Sequence, residues 1–193
     1  MKKIAVITPM SLELSLDYDK KVSESISSGT TLTGDYSAKF TSPGYELAKK
    51  LAKEAEVSLW TAIGSGAQFD IRKNIEANGI DTTHVGLSSA LDVSISINKG
   101  SFNTFQLDHD YSIEYISDMV ITFADTFDEF DAVVITFVDD VMIEALKKQN
   151  VTLFWLPISE IDFQNYNVYD DEISGVVKGI SVISLTNYEE VLK

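Results

Sequence analysis

The chain has 193 residues, 45% of them hydrophobic and 23% charged, which suits one packed domain, or one domain with a small appendage. It contains no cysteine, so disulfides, thiolate metal sites and thiol catalysis are excluded. Fifteen basic against thirty acidic residues set the formal net charge at -15, which disfavours nucleic acid and anionic membrane surfaces as partners and favours solubility.

The N-terminus carries Lys2 and Lys3 before a short apolar run, Ile4–Thr8, that stops at Pro9. This is too short for the hydrophobic region of a signal peptide, and no later run approaches the ~20 apolar residues of a membrane span, so the expected location is the cytoplasm. Ile4–Thr8 reads as a strand, as do Val57–Ile63, Ala132–Phe137, Val151–Leu156 and Ile180–Leu185. These runs are continuous and mostly β-branched, the pattern of parallel strands covered on both faces. Leu12–Tyr18 and Thr30–Phe40 instead alternate apolar with polar residues, the pattern of strands with one wet face.

Ser42-Pro43 is a helix start, with Ser as N-cap and Pro at the first position. Leu47, Ala48, Leu51, Ala52 and Ala55 then mark one face at spacings of three and four. A second helix is expected over Ala67–Asn78, ending on Gly79 as a C′ residue. Asp92–Asn98 alternates, turns at Lys99-Gly100-Ser101 and resumes over Phe102–Leu107, which predicts a hairpin. Phe123, Phe127 and Phe130 are spaced as a helix core stripe. A third helix is expected from Asp139-Asp140, burying Val141, Met142, Ala145 and Leu146, with Lys147 and Lys148 at its end, where the helix dipole favours a cation. Phe154–Asp171 reads as a long packed loop. Alternation of strands and helices argues for an α/β fold with a mostly parallel sheet flanked by helices and a small antiparallel layer beside it.

Element order and local motifs together resemble the ribokinase/PfkB carbohydrate kinase family, N-terminal half, along nearly the whole chain. The carrying stretch is Ala55-Glu56-Val57-Ser58-Leu59-Trp60-Thr61-Ala62-Ile63-Gly64, followed by Asn78-Gly79-Ile80-Asp81-Thr82-Thr83-His84-Val85. It matches the family's glycine-ended strand, helix and G-[IV]-D-T-[ST]-H-V segment, where His84 reads as structural. The resemblance implies a single truncated ribokinase-like α/β domain over 1–193, with lid strands from about 12–40 and 92–107 covering a sugar site. Ser184-Leu185-Thr186-Asn187-Tyr188-Glu189-Glu190 resembles the family's N-x-x-E element, which makes Asn187 and Glu190 the candidate metal residues. The residues themselves leave open a simpler reading, a helix cap at Asn187 and a solvated Glu190.

The substrate motifs depart from the family's pattern. Where the family places a sugar-gripping aspartate, this chain has Glu13, with Ser11 in place of the partner asparagine. Glu13 is either a ligand contact or a solvated lid residue. The family's G-G-K-G-x-N signature becomes Thr41-Ser42-Pro43-Gly44-Tyr45-Glu46, so Gly44 and Glu46 complete the candidate substrate-binding set. Pro43 and Tyr45 are expected to crowd the backbone approach that two glycines would allow. Gly64-Ser65-Gly66 lacks the acids of the family's G-D-D and reads as a plain turn. Asp108-His109-Asp110 has metal-ligand residue types, but three consecutive side chains cannot converge on one ion in regular structure, so it too reads as a solvated turn.

The chain stops at Lys193, just past the N-x-x-E position. The family's G-A-G-D motif, anion hole and nucleotide pocket are therefore expected outside it, and no catalytic residue is assigned. Magnesium and ATP are expected only with a complementing half. The reading is a non-catalytic sugar- or nucleoside-binding or oligomerising subunit, with one half of a split kinase and a purely structural assembly protein as alternatives. The lid and an open sheet edge suggest a homodimer or a hetero-subunit complex.

Overall fold

The computed structural model describes residues 1–18, 34–64, 68–88, 93–97, 102–106, 110–158, 164–166 and 173–193. Its centre is β1 (Lys3–Ile7), a strand whose side chains are buried on both faces. Ile4 and Val6 enter one core cluster, whereas Ala5 and Ile7 enter the other. Strand β1 pairs in parallel with β4 (Glu56–Gly64) on one edge and β9 (Ala132–Ile135) on the other. Beyond β9 lie β10 (Thr152–Trp155) and β11 (Ser181–Val182); beyond β4 lie β5 (Ile80–Asp81) and β6 (Val85–Ser88). All pairings in this seven-stranded sheet are parallel, as the continuous apolar runs predict.

One face is covered by α1 (Pro43–Leu51) and α2 (Gln68–Glu76), which contribute Leu47, Ala48, Leu51, Ile71 and Ile75 to the first cluster. The start of α1 follows the expected cap, with Ser42 Oγ accepting from the Tyr45 amide at 3.0 Å. The turn after α2 closes on Gly79 at φ +74°, a left-handed conformation that glycine adopts without steric cost. The other face is covered by α3 (Asp110–Thr122) and α4 (Asp140–Leu146). The sequence reading did not place α3, although Ile113, Ile116, Met119 and Val120 carry its packing at helical spacings.

Three expectations need correction. Helix α4 buries Met142, Ile143 and Leu146, whereas Val141 is 66% exposed, because the helix turns to the sheet the face that packs into the second core cluster. The phenylalanine trio does not form an α-helical stripe: α3 ends at Thr122, and a 3₁₀ turn over Ala124–Glu129 buries Phe127 while Phe123 is 47% exposed. The expected strand over Ile180–Leu185 contracts to Ser181–Val182 because Ser184 turns onto the Asn187 side chain.

The second sheet has four strands in the order β3-β2-β7-β8, comprising β2 (Ser11–Tyr18), β3 (Gly34–Thr41), β7 (Val93–Ile97) and β8 (Phe102–Gln106). Two antiparallel pairs are joined by a parallel pairing of β2 with β7, so the expected antiparallel layer has a parallel seam. The loop expected over Phe154–Asp171 overlaps the end of β10, and most of the rest lies outside the described residues. Among the described residues no helix is long and apolar enough to cross a membrane.

Because Leu59 is fully buried between sheet and helices, Leu59→Ala should lower unfolding stability by about 2–5 kcal/mol in chemical denaturation. Val141→Ala, on the exposed side of α4, should stay within about 0.5 kcal/mol of the parent.

Candidate functional site

Strands β1 and β9 are neighbours, but the chain leads on from β1 to β4 on one side and from β9 to β10 on the other, so their C-terminal ends define a topological switch point, where open α/β sheets place ligands. Thr8 follows β1 and Thr136 follows β9. The Thr8 amide continues the ladder to the Trp60 carbonyl and the Thr136 amide to the Ile7 carbonyl, each at 3.1 Å. Both threonines are fully buried. Their hydroxyls lie 3.0 Å apart, and Thr8 Oγ1 lies 3.1 Å from Ser42 Oγ at the start of α1. These hydroxyls bond one another, the backbone and the helix cap, so the floor of the crevice is internally satisfied.

Gly44 closes this floor. A Cβ on it would lie 2.5 Å from Thr8 Cβ and 2.8 Å from Thr136 Cγ2, so the helix can seat here only with glycine. Tyr45 belongs to the first core cluster, and its hydroxyl accepts from Asn78 Nδ2 at 3.4 Å. Burial, reinforced by the neighbouring Glu46 charge, raises the Tyr45 pKa above its ordinary value against the opposing bond from Asn78. Neither Thr8 nor Thr136 was singled out in the sequence, although Val6-Ile7-Thr8 and Val134-Ile135-Thr136 repeat one tripeptide at the ends of two adjacent strands.

The remaining candidates lie around this floor. Ser11 opens β2 opposite Thr41, and Glu13 lies opposite Lys39 with an ion pair at 3.1 Å. The Lys39 side chain is 64% exposed, so this pair is weakly held and Glu13 can exchange its partner for a ligand hydroxyl at small cost. Glu46 is held by Lys49 at 2.6 Å and accepts from Thr41 Oγ1 at 3.3 Å, tying the end of β3 to α1. Gly64 ends β4; Ser65 and Gly66 lie outside the described residues, as do Asp108 and His109, whereas Asp110 is the first residue of α3.

Beside the switch point a groove of about 400 Å³ runs past Pro43, Leu156, Ile183 and Asn187. Asn187 Oδ1 accepts from the Ser184 amide at 2.6 Å and from Ser184 Oγ at 3.0 Å, and Glu190 pairs with Lys193 at 2.5 Å. Lys50 anchors this segment by donating to the Leu185 carbonyl at 2.8 Å and lying over the Tyr188 ring. Asn187 Oδ1 already serves two donors, whereas Glu190 sits in an exposed and therefore weakly held pair with Lys193. Among the described residues no cluster of His, Cys, Asp or Glu could hold a metal ion.

His84 stacks flat on Trp60, centroids 3.7 Å apart. Asp81 nearby accepts from Ser58 and Thr83; burial alone would raise its pKa, but these bonds and the His84 interaction outweigh it and hold the carboxyl below its ordinary value.

Solved structures bear on this architecture. A ribokinase from Giardia lamblia superimposes with a TM-score of 0.65 at 15% identity, over 83% of this chain and 56% of its own. A ribokinase from Cryptococcus neoformans, in complex with ADP, gives 0.61 at 11% identity, over 85% and 53%. A nucleoside kinase from Burkholderia thailandensis, in complex with inosine, gives 0.55 at 13% identity, over 80% and 52%. The fold is thus ribokinase-like, of the carbohydrate-kinase type, and the chain spans about half the length of the solved structures it matches. No protein-family model and no curated relative matches the sequence.

Gly44→Ala should destabilise the fold by about 1–3 kcal/mol through overpacking, read as a lower denaturation midpoint. The sign is opposite to the usual gain from alanine in a helix.

Proposed function

We infer that this chain works by binding or assembly and is not a phosphotransferase on its own. The carrying observation is the floor of the crevice, where Thr8, Ser42 and Thr136 satisfy one another and Gly44 closes onto them. Phosphoryl transfer depends on donors held ready for the transferring group, and hydroxyls bonded to one another are not ready donors. Glu13 and Glu46 at the rim, held by lysines, supply carboxylates that suit the hydroxyls of a sugar or nucleoside. Tyr45 is buried in the first core cluster, so its ring serves packing and is not offered to a ligand, which favours assembly over tight ligand capture. The edges of the lid sheet and of the main sheet are the surfaces through which a homodimer or a second subunit would join.

A second reading, one half of a split sugar or nucleoside kinase, is favoured by the share of the fold present, since the matched structures are about twice as long. Magnesium and ATP would then be held largely by the complementing chain.

A thermal-shift screen against sugars, nucleosides and magnesium-ATP separates these readings when run beside a concentration series in size-exclusion chromatography. A ligand at a hundredfold excess over its Kd should add ~2.7 kcal/mol of stability. The binding reading expects a shift with a sugar or nucleoside and none with ATP; the assembly reading expects no shift and elution larger than a monomer. A shift with magnesium-ATP, together with sugar phosphorylation by the purified chain, would overturn both.

A further inference from the structure

His84 lies where the main sheet hands the chain on to the lid. Its carbonyl accepts from the Thr61 amide at 3.3 Å, and the next residue opens β6, which runs beside β4 and leads towards β7. The imidazole lies flat on the fully buried Trp60 ring, 5° from parallel, and Phe123 meets it edge-on with centroids 6.0 Å apart. Its Nδ1 is sealed from solvent without a hydrogen-bond partner.

A neutral imidazole tolerates that position, because an unprotonated nitrogen there forgoes one weak acceptor bond. Protonation makes both nitrogens donors, which places a charged N–H where no acceptor exists. Two attractions oppose this cost. The Trp60 face draws a cation, and the Asp81 carboxylate lies nearby. Asp81, however, already accepts from Ser58 Oγ at 2.9 Å, from Thr83 Oγ1 at 2.7 Å and from the Thr83 amide at 3.1 Å. The other charged groups on this side are Lys3 of β1, Glu56 of β4 and Glu129 of the 3₁₀ turn, which line the same cavity of about 390 Å³; Arg72, of α2 on the other face, donates to the Val85 carbonyl. Burial pushes the His84 pKa below its ordinary value, with Asp81 pulling the other way.

We propose that His84 is an acid-operated latch: protonation expels its ring from the Trp60 stack and loosens β6, the strand that joins the main sheet to the lid. A depressed folded-state pKa means that the latch contributes stability above the ordinary histidine range. That contribution is lost as pH falls from the unfolded value through the folded one. The switch lies on the face opposite the crevice and does not depend on which functional reading holds there.

The chain has two histidines, so His109→Gln leaves one imidazole signal to follow by NMR. The expected titration midpoint lies below ~6.5. Tryptophan emission should change over the same pH range, and the change should vanish in His84→Phe, which keeps a stacking ring but cannot titrate. Amide exchange over Val85–Ser88, corrected for intrinsic rate, should speed by about tenfold for each pH unit of His84 depression. If His84→Phe fails to fold, the NMR and exchange measurements on the His109→Gln chain still decide the matter. A midpoint at or above the ordinary value, an emission change that survives in folded His84→Phe, or β6 exchange unchanged through the titration would each overturn the latch.

Discussion

Strand β1 has no free side. Its faces enter two different core clusters and its edges are taken by β4 and β9, so its register with both neighbours is set by packing as well as by hydrogen bonds. A one-residue slip would send Ile4 and Val6 into the space shaped for Ala5 and Ile7. That constraint carries through the molecule. It brings Thr8 and Thr136 to the same level, places the start of α1 against both, and thereby defines the floor of the crevice at the switch point.

The crevice is accordingly unequal from floor to rim. At the floor, buried hydroxyls bond one another, and opening them would leave polar groups unpaired in a dry core. At the rim, Glu13 pairs with an exposed lysine, and such pairs exchange partners at little cost. The Trp60–His84 stack on the opposite face belongs to another part of the chain, the corner that passes from the main sheet towards the lid.

Much of the fold was legible residue by residue. Buried parallel strands need apolar side chains on both faces, and the runs at Ile4, Val57 and Ala132 display that need directly. Ser42-Pro43, Asp139 and Gly79 mark helix ends through local chemistry, so they could be read without neighbours. The misreadings arose where local pattern competes with packing. Helix α3 is rich in β-branched residues, which are poor helix formers, and its stability comes from the sheet face beneath Ile116 and Val120. Phe123, Phe127 and Phe130 keep helical spacing, yet the chain tightens into a 3₁₀ turn that puts Phe127 against Trp60.

The sequence by itself determined the class of the fold, the strand runs, the helix caps and the acidic character, because each depends on nearest neighbours or on composition. Tertiary structure alone decided which partners the candidate residues meet. Gly44 reads in the sequence as the remnant of a substrate loop, but it is required by the Thr8 and Thr136 side chains, which stand 36 and 92 residues away in the chain. Asn187 reads as a metal-motif residue, and only the fold shows that its oxygen also accepts from the Ser184 amide and hydroxyl. The reason is physical: which donor meets which acceptor depends on how strands stack and where helices seat, and that is settled only when the two cores close.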